Sequence, residues 1–193
     1  MLWTDERCAM RFAAACLAFG VAAGTGGAAQ TVSSGDAAAM IYPPKTAEVE
    51  LLPSDALKKK EGKVVGMVAA DQPYYAAIAI SPDEGLMSEA TVAAANYHDT
   101  GSASAAALAE CNAKKKGAAD CVIVALVRPE GWQAQPVQLS SDAAAGFAEA
   151  GGGAVAISAA TGSWGIGADE GAALAACGER NPAAGDCAVV IAP

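Results

Sequence analysis

The fold is decided by a stretch that reads AALAEC at residues 106–111 and continues, after a short polar loop, as DCVIV at residues 120–124. Both pieces occur a second time, as AALAAC at residues 172–177 and DCAVV at residues 186–190. Each second occurrence lies 66 residues after the first. Because the order and the spacing are kept, we interpret the chain as carrying an internal repeat.

A third repeated piece marks the start of each copy. AIAIS at residues 77–81 returns as AVAIS at residues 154–158, an offset of 77 residues, so the first copy carries 11 extra residues within Leu86 to Ser102. Alanine and leucine favour a helix before the first cysteine of each copy, and valine and isoleucine favour strands elsewhere. We therefore predict an α+β domain over residues 73–193, built from two pseudo-symmetric β-β-α-β repeats at about 74–128 and 151–193. Each repeat forms a small sheet with one helix against it.

Helix starts are predicted from residues that favour the N-cap position. Serine, threonine, asparagine and aspartate accept hydrogen bonds from the free N–H groups of a first helical turn. We expect Ser102 or Ser104 to cap the first helix and Asp169 to cap the second.

Four cysteines belong to the repeats: Cys111, Cys121, Cys177 and Cys187. Four cysteines allow three pairings, and the repeat selects Cys111 with Cys121 and Cys177 with Cys187. In each copy the first cysteine ends a helix and the second opens the following strand. The spacing fits neither a zinc site nor a Cys-x-x-Cys redox centre, so we predict structural disulfides and no metal or other cofactor.

The N-terminus has the composition of an export sequence. Arg11 precedes an apolar run over residues 12–23 and small residues that end at Ala29. This order is typical of a signal peptide, and the run is shorter than the ~20 residues of a membrane helix. We expect a signal peptide over residues 1–29, cleavage near Ala29, a secreted or periplasmic protein, and no membrane insertion after cleavage. In that compartment disulfides form by default.

Residues 30–72 show little sustained periodicity. They contain Pro43-Pro44, Pro53 and a charged run at residues 58–61. We interpret this segment as a flexible leader or linker. Within it, residues 64–68 (VVGMV) predict one short strand.

The charge balance limits the classes of binding partner. The formal net charge is -9 at pH 7, and the lysine triplets at residues 58–60 and 114–116 are the only basic runs. An acidic protein repels nucleic acid and anionic membrane surfaces, which leaves an unidentified protein or envelope ligand as partner.

Catalytic candidates are few. His98 is the only histidine, in the sequence NYHD at residues 96–99 within the extra segment of the first copy. TGSWG at residues 161–165 lacks the first glycine of a nucleophile elbow, and no glycine cluster has the residues of a phosphate loop. We expect His98 to lie exposed in a loop and assign no catalytic residues.

The favoured hypothesis is a non-enzymatic binding or interaction module of the envelope or extracellular space. The alternative is a small envelope hydrolase that uses His98 with a carboxylate or serine, which a deep polar cleft around His98 would favour.

With GSWG at residues 162–165 between the paired AxAIS, LAxC and DC blocks, the chain resembles the exported bacterial family known as domain of unknown function 4189. The resemblance covers residues 74–193. It implies an exported two-repeat α/β domain with paired cysteines and supplies no established catalytic residues. The first copy departs from the second by its longer insertion and by lacking an equivalent of Trp164.

Overall fold

The computed structural model describes residues 31–44 and 47–193. The predicted signal peptide, residues 1–29, lies outside the described residues. Within them, no helix has the length and apolarity needed to cross a membrane. The elements are β1 (Val32–Ser33), α1 (Ser34–Ala37), β2 (Ala47–Leu51), α2 (Lys59–Ala70), β3 (Ala76–Ile80), β4 (Val92–Ala94), α3 (Thr100–Lys114), β5 (Val122–Pro129), α4 (Ser141–Ala150), β6 (Ala154–Ile157), β7 (Trp164–Gly167), α5 (Glu170–Arg180) and β8 (Ala188–Ala192).

The strands of the described residues form two four-stranded sheets that are similar in their three inner-repeat strands and differ at one edge, where β1 runs parallel to β8 but β2 runs antiparallel to β5. The strand orders are β2-β5-β3-β4 in the first sheet and β1-β8-β6-β7 in the second. In each sheet the first strand of the repeat runs antiparallel to both of its neighbours. The register shifts between Ile78 and Ala79 in β3 and at the equivalent step, between Val155 and Ala156, in β6. The α+β class and the β-β-α-β order are therefore confirmed.

Each sheet has a large-residue face and an alanine face, because successive side chains of a strand point to opposite sides. Ile78 and Ile80 pack on the face covered by α2, whereas Ala77 and Ala79 pack with α3. The second sheet repeats this division, with α1 and α4 on one face and α5 on the other. The prediction of one helix per sheet is therefore incomplete, since each sheet is covered on both faces.

The prediction of a flexible leader over residues 30–72 is wrong for the described residues 31–44 and 47–72. β1 pairs parallel to β8, and β2 pairs antiparallel to β5 along its whole length. Residues 64–68, predicted as a strand, lie in the middle of α2, where Val65 and Ala69 are buried. In the first turn of the helix, the Glu61 carboxylate accepts the backbone N–H of Lys58 at 2.7 Å. Tertiary packing of this helix outweighs the strand propensity of its valines.

The predicted cap of the first helix is also wrong, whereas that of the second is confirmed. Asp99 caps α3 by accepting the backbone N–H of Ser102 at 2.7 Å, so neither Ser102 nor Ser104 is the N-cap. Asp169 caps α5 by accepting the N–H of Ala172 at 2.8 Å. Helix α3 begins earlier relative to its cysteine than α5 does, so part of the extra segment lengthens this helix.

Strand β7 lies unusually close to α5. A Cβ atom on Gly165 would come within 2.2 Å of the backbone nitrogen of Cys177, and one on Gly167 within 2.6 Å of the nitrogen of Ala173. The position of β4 that corresponds to Gly165 is Val92, so this close approach is particular to the second copy. Glycine is required here by the backbone distance.

Replacing Gly165 by alanine is expected to lower the free energy of unfolding by about 1 to 3 kcal/mol, because the added methyl group forces the strand and the helix apart. Gly178→Ala in α5 is the matched control, since no atom other than its chain neighbours and the backbone of its own helix lies within 4 Å of its Cβ position. That change should be neutral or stabilising by up to ~1 kcal/mol through helix propensity. Urea denaturation of the two variants measures the difference, and equal stabilities would contradict the close packing.

Candidate functional site

The cysteines pair as the repeat predicts. Cys111 bonds Cys121 and Cys177 bonds Cys187, with Cα atoms 6.1 and 6.2 Å apart. In both copies the first cysteine lies in the helix and the second precedes the last strand of the sheet. Among the described residues, no group of three or more histidine, cysteine or acidic side chains is placed to hold a metal ion. The bridges fasten each alanine-face helix to its own sheet.

His98 is buried at the junction of two halves of the chain. We call the part with the β2-β5-β3-β4 sheet the first half and the part with the β1-β8-β6-β7 sheet and α4 the second half. His98 is only 2% exposed, so the prediction of an exposed loop position is wrong. Its Nδ1 atom accepts the backbone N–H of Ser140 at 3.1 Å, at the start of α4. Its Nε2 atom lies 3.1 Å from the backbone carbonyl oxygen of Ser163, just before β7. The imidazole therefore joins the loop before α3 to two segments of the second half.

These contacts define the protonation state of His98. Because Nδ1 accepts a hydrogen bond, the proton is on Nε2, which donates to the Ser163 carbonyl. Burial lowers the pKa of His98, against smaller opposing effects of the Ser163 and Gly162 backbone and of the Asp99 carboxylate. The ring is accordingly neutral at neutral pH.

The two serines that contact His98 do so through their backbones. The Ser140 hydroxyl accepts the N–H of Ala143 as the cap of α4, and the Ser163 hydroxyl donates to the Cys177 carbonyl at 2.7 Å. Both ring nitrogens are thus engaged by backbone groups, and both hydroxyls have other partners. This arrangement holds two backbone segments in place. It is not a nucleophile–base pair, which needs a hydroxyl or thiol that is hydrogen-bonded to the ring.

The extra segment of the first copy supplies a second contact between the halves. The Asn96 side chain donates to the Asp142 carboxylate at 2.8 Å and accepts the Asp142 backbone N–H at 3.1 Å. Asn96 has a φ of 63°, a left-handed conformation that asparagine tolerates better than most residues. The segment that distinguishes the copies therefore fastens the first half to the start of α4.

A concave surface of the described residues lies elsewhere, between α1 and α4. We call it the α1–α4 groove, and its volume is about 500 Å³. Its lining comprises Ser34, Gly35, Ala38, Ile41, Tyr42, Pro43, Pro44, Ala144, Phe147, Ala148, Gly151 and Gly152. None of these lining residues carries a charge. The groove is therefore an apolar cavity of a size that small-molecule sites commonly have.

The few polar groups of the α1–α4 groove already have partners. The Ser34 hydroxyl accepts the backbone N–H of Gly153 at 3.0 Å. The Tyr42 hydroxyl accepts the N–H of Gln133 at 2.6 Å and lies 3.2 Å from the carbonyl oxygen of the same residue, to which it donates. What remains available to a ligand is mainly apolar surface.

Tyr74 anchors the wall of the α1–α4 groove to the first half. Its buried hydroxyl donates to the carbonyl of Tyr42 at 2.7 Å. Burial raises the pKa of Tyr74 to about 12, so the hydroxyl keeps the proton that it donates. This groove was not predicted because Tyr42, Pro43 and Pro44 lie in the segment interpreted as a leader. Tyr42 between an apolar pair and two prolines is the one local feature that indicates an ordered wall.

No family model matches this chain, and neither the curated proteins nor the solved structures include a significant match to it. The resemblance to the family known as domain of unknown function 4189 therefore remains an expectation.

Proposed function

We propose that this protein is an exported, non-enzymatic binding protein and that the α1–α4 groove is its ligand site. The observation that carries this proposal is an uncharged, largely apolar concavity of about 500 Å³ whose polar groups are already hydrogen-bonded. Pockets of roughly 300 to 1,000 Å³ lined by apolar side chains are typical of small-ligand sites. Two disulfides are typical of proteins from oxidising compartments, which supports export.

The lining selects the chemical class of ligand. A charged group buried in this groove would have no opposite charge among the lining residues, and an unpaired buried charge is costly. Phe147 and Tyr42 offer aromatic surface beside Ile41 and Ala144. The ligand is therefore uncharged where it is buried and has an apolar body, such as an aromatic ring or a short acyl chain.

The hydrolase alternative has less support. It requires His98 to reach a substrate, but the ring is 2% exposed and both nitrogens bond backbone groups. The apolar groove lies away from this residue, and His98 is not among its lining residues.

The proposal is tested with an uncharged fluorescent probe, N-phenyl-1-naphthylamine, titrated against the purified protein. We expect saturable binding with enhanced, blue-shifted emission. Ala148→Trp should weaken binding at least tenfold, about 1.4 kcal/mol, because the indole fills the groove from an exposed lining position. Competition by short-chain alcohols against short-chain carboxylates then checks the preference for an uncharged ligand.

The matched control is Ala150→Trp, an exposed alanine of the same helix that lies outside the lining. It should bind the probe as the unchanged protein does. Equal loss in both variants, or no loss in Ala148→Trp, would remove the α1–α4 groove as the binding site. Ester or peptide hydrolysis that disappears in His98→Gln would instead favour the hydrolase.

A further inference from the structure

The outer face of α2 exposes large apolar side chains. Val64 is 43%, Met67 64% and Val68 47% exposed, and these are three of the six large hydrophobic residues that are exposed in the described part of the chain. The inner face of the same helix already packs on the first sheet through Val65 and Ala69. A contiguous apolar stripe on the outside of a packed helix is typical of an interaction surface.

Charged residues at both ends make this stripe self-complementary. Lys60, Val64, Met67, Val68 and Asp71 follow a spacing of three and four residues, which places them on one face of a helix. Lys60 and Asp71 are both exposed and lie about 16 Å apart along the helix axis at ~1.5 Å per residue. The stripe is thus basic at its start, apolar in the middle and acidic at its end.

We propose that this α2 stripe is the interface with a second copy of the chain, with the two helices antiparallel about a two-fold axis. In that arrangement Val64 of each copy lies opposite Met67 of the other. Lys60 of each copy then lies opposite Asp71 of the other, so one surface provides both ion pairs. A two-fold interface requires such a patch that is complementary to itself.

The stripe fits a second copy better than an anionic lipid surface. Asp71 at one end of the stripe would face the lipid phosphates, and the net charge of -9 adds repulsion. The interface is also small, because a standard protein interface buries about 800 Å² on each partner and one helix face provides less. We therefore expect a weak, concentration-dependent dimer.

The experiment is sedimentation velocity across the micromolar range with variants of the stripe. Met67→Glu should remove the dimer, and Met87→Glu should not, because Met87 is 95% exposed and lies outside α2. Lys60→Asp and Asp71→Lys should each weaken dimerisation because like charges then face one another. The double variant K60D/D71K should restore it, which a merely hydrophobic contact would not predict.

Thermal melts of the variants check that each one folds, since all the changed side chains are exposed. A protein that stays monomeric throughout, or a double variant as weak as either single one, would overturn the proposal. Binding of the monomer to phosphatidylglycerol vesicles that Met67→Glu abolishes would assign the stripe to lipid instead.

Discussion

Replacing all four repeat cysteines by alanine is expected to lower the free energy of unfolding by roughly 4 to 6 kcal/mol. Each bridge joins residues that are 10 apart in sequence, and closing a loop of that length stabilises a domain by about 2 to 3 kcal/mol in the chain-entropy model. The two bridges lie in different halves and share no partner, so their contributions should add. The loss is a large part of the ~5 to 15 kcal/mol that stabilises a typical domain.

The composition of the core makes this loss severe. Alanine is the commonest residue among the buried hydrophobic positions, and it buries less apolar area than larger side chains do. The helix α3 contributes only Ala103, Ala107 and Cys111 to its buried face. Without the bridge, the helix is fastened to the alanine face only by these small side chains and by the partly buried Ala106 and Leu108.

Urea denaturation measures the contribution of each disulfide to the free energy of unfolding. It compares the oxidised protein with the paired variants C111A/C121A and C177A/C187A and with the quadruple variant. Each paired variant should lose about half of the total. A chelator is the control and should change nothing, whereas a chelator-dependent loss would indicate bound metal. A quadruple variant as stable as the oxidised protein would contradict the role assigned to the bridges.

The disulfides could be predicted because their evidence is local in the sequence. Leu-Ala-x-Cys and Asp-Cys recur at one spacing, and a helix followed by a strand leaves a single sensible pairing. The cap at Asp169 was predictable for the same reason, whereas Asp99 was missed because the first helix begins one turn earlier relative to its cysteine.

The strands of residues 31–44 and 47–72 could not be predicted because the strands that they pair with are distant in sequence. β2 has alternating apolar residues, Ala47, Val49 and Leu51, but it is stabilised as a strand by pairing with Ala125–Pro129. β1 has only two residues and pairs with the last strand of the chain. Prolines and lysines in such a segment resemble a linker until the long-range pairing is known.

The α1–α4 groove was missed for the same reason, since its two walls are about a hundred residues apart in sequence. Tyr42 and Pro43 become a wall only when Phe147 and Ala144 face them. The burial of His98 likewise depends on Ser140 and Ser163, which are 42 and 65 residues away. Nothing in the polar sequence around this histidine indicates either contact.

Replacing His98 by alanine is expected to lower the free energy of unfolding by roughly 2 to 4 kcal/mol. The change leaves the buried Ser140 N–H without its partner, and an unsatisfied buried group costs about 1 to 3 kcal/mol. It also removes one of the two hydrogen bonds that the Ser163 carbonyl accepts, while the other, from the Ser158 N–H at 2.8 Å, remains. It also leaves a cavity between the halves, which adds to the cost. His98→Gln should lose less, because its amide reaches one of the two partners.

Thermal and urea denaturation of H98A and H98Q against the unchanged protein measure this cost. Asn112→Ala is a comparison at an exposed position where one hydrogen bond, to the Cys121 backbone N–H, is removed. It should cost less than His98→Ala, since the removed side chain is exposed and leaves no cavity between the halves. A loss within about 0.5 kcal/mol for H98A, as at an exposed loop position, would contradict the buried bridge.

The same histidine makes the stability depend on pH. Its pKa is lowered in the folded protein by burial, so below about pH 6.5 the unfolded chain binds a proton that the folded chain does not. The contribution of His98 to stability should therefore be constant above that pH and fall as the pH decreases toward the folded pKa. The nearby Asp99 carboxylate raises the pKa of His98, but its effect is smaller than that of burial.

Asp186 affects stability at a lower pH, because hydrogen bonds from the Ser158 hydroxyl and the Ala160 N–H lower its pKa below 3.8. In H98Q the slope just below about pH 6.5 should disappear while the loss at lower pH remains. An unchanged slope in H98Q would show that a group other than His98 causes it, which would contradict this prediction.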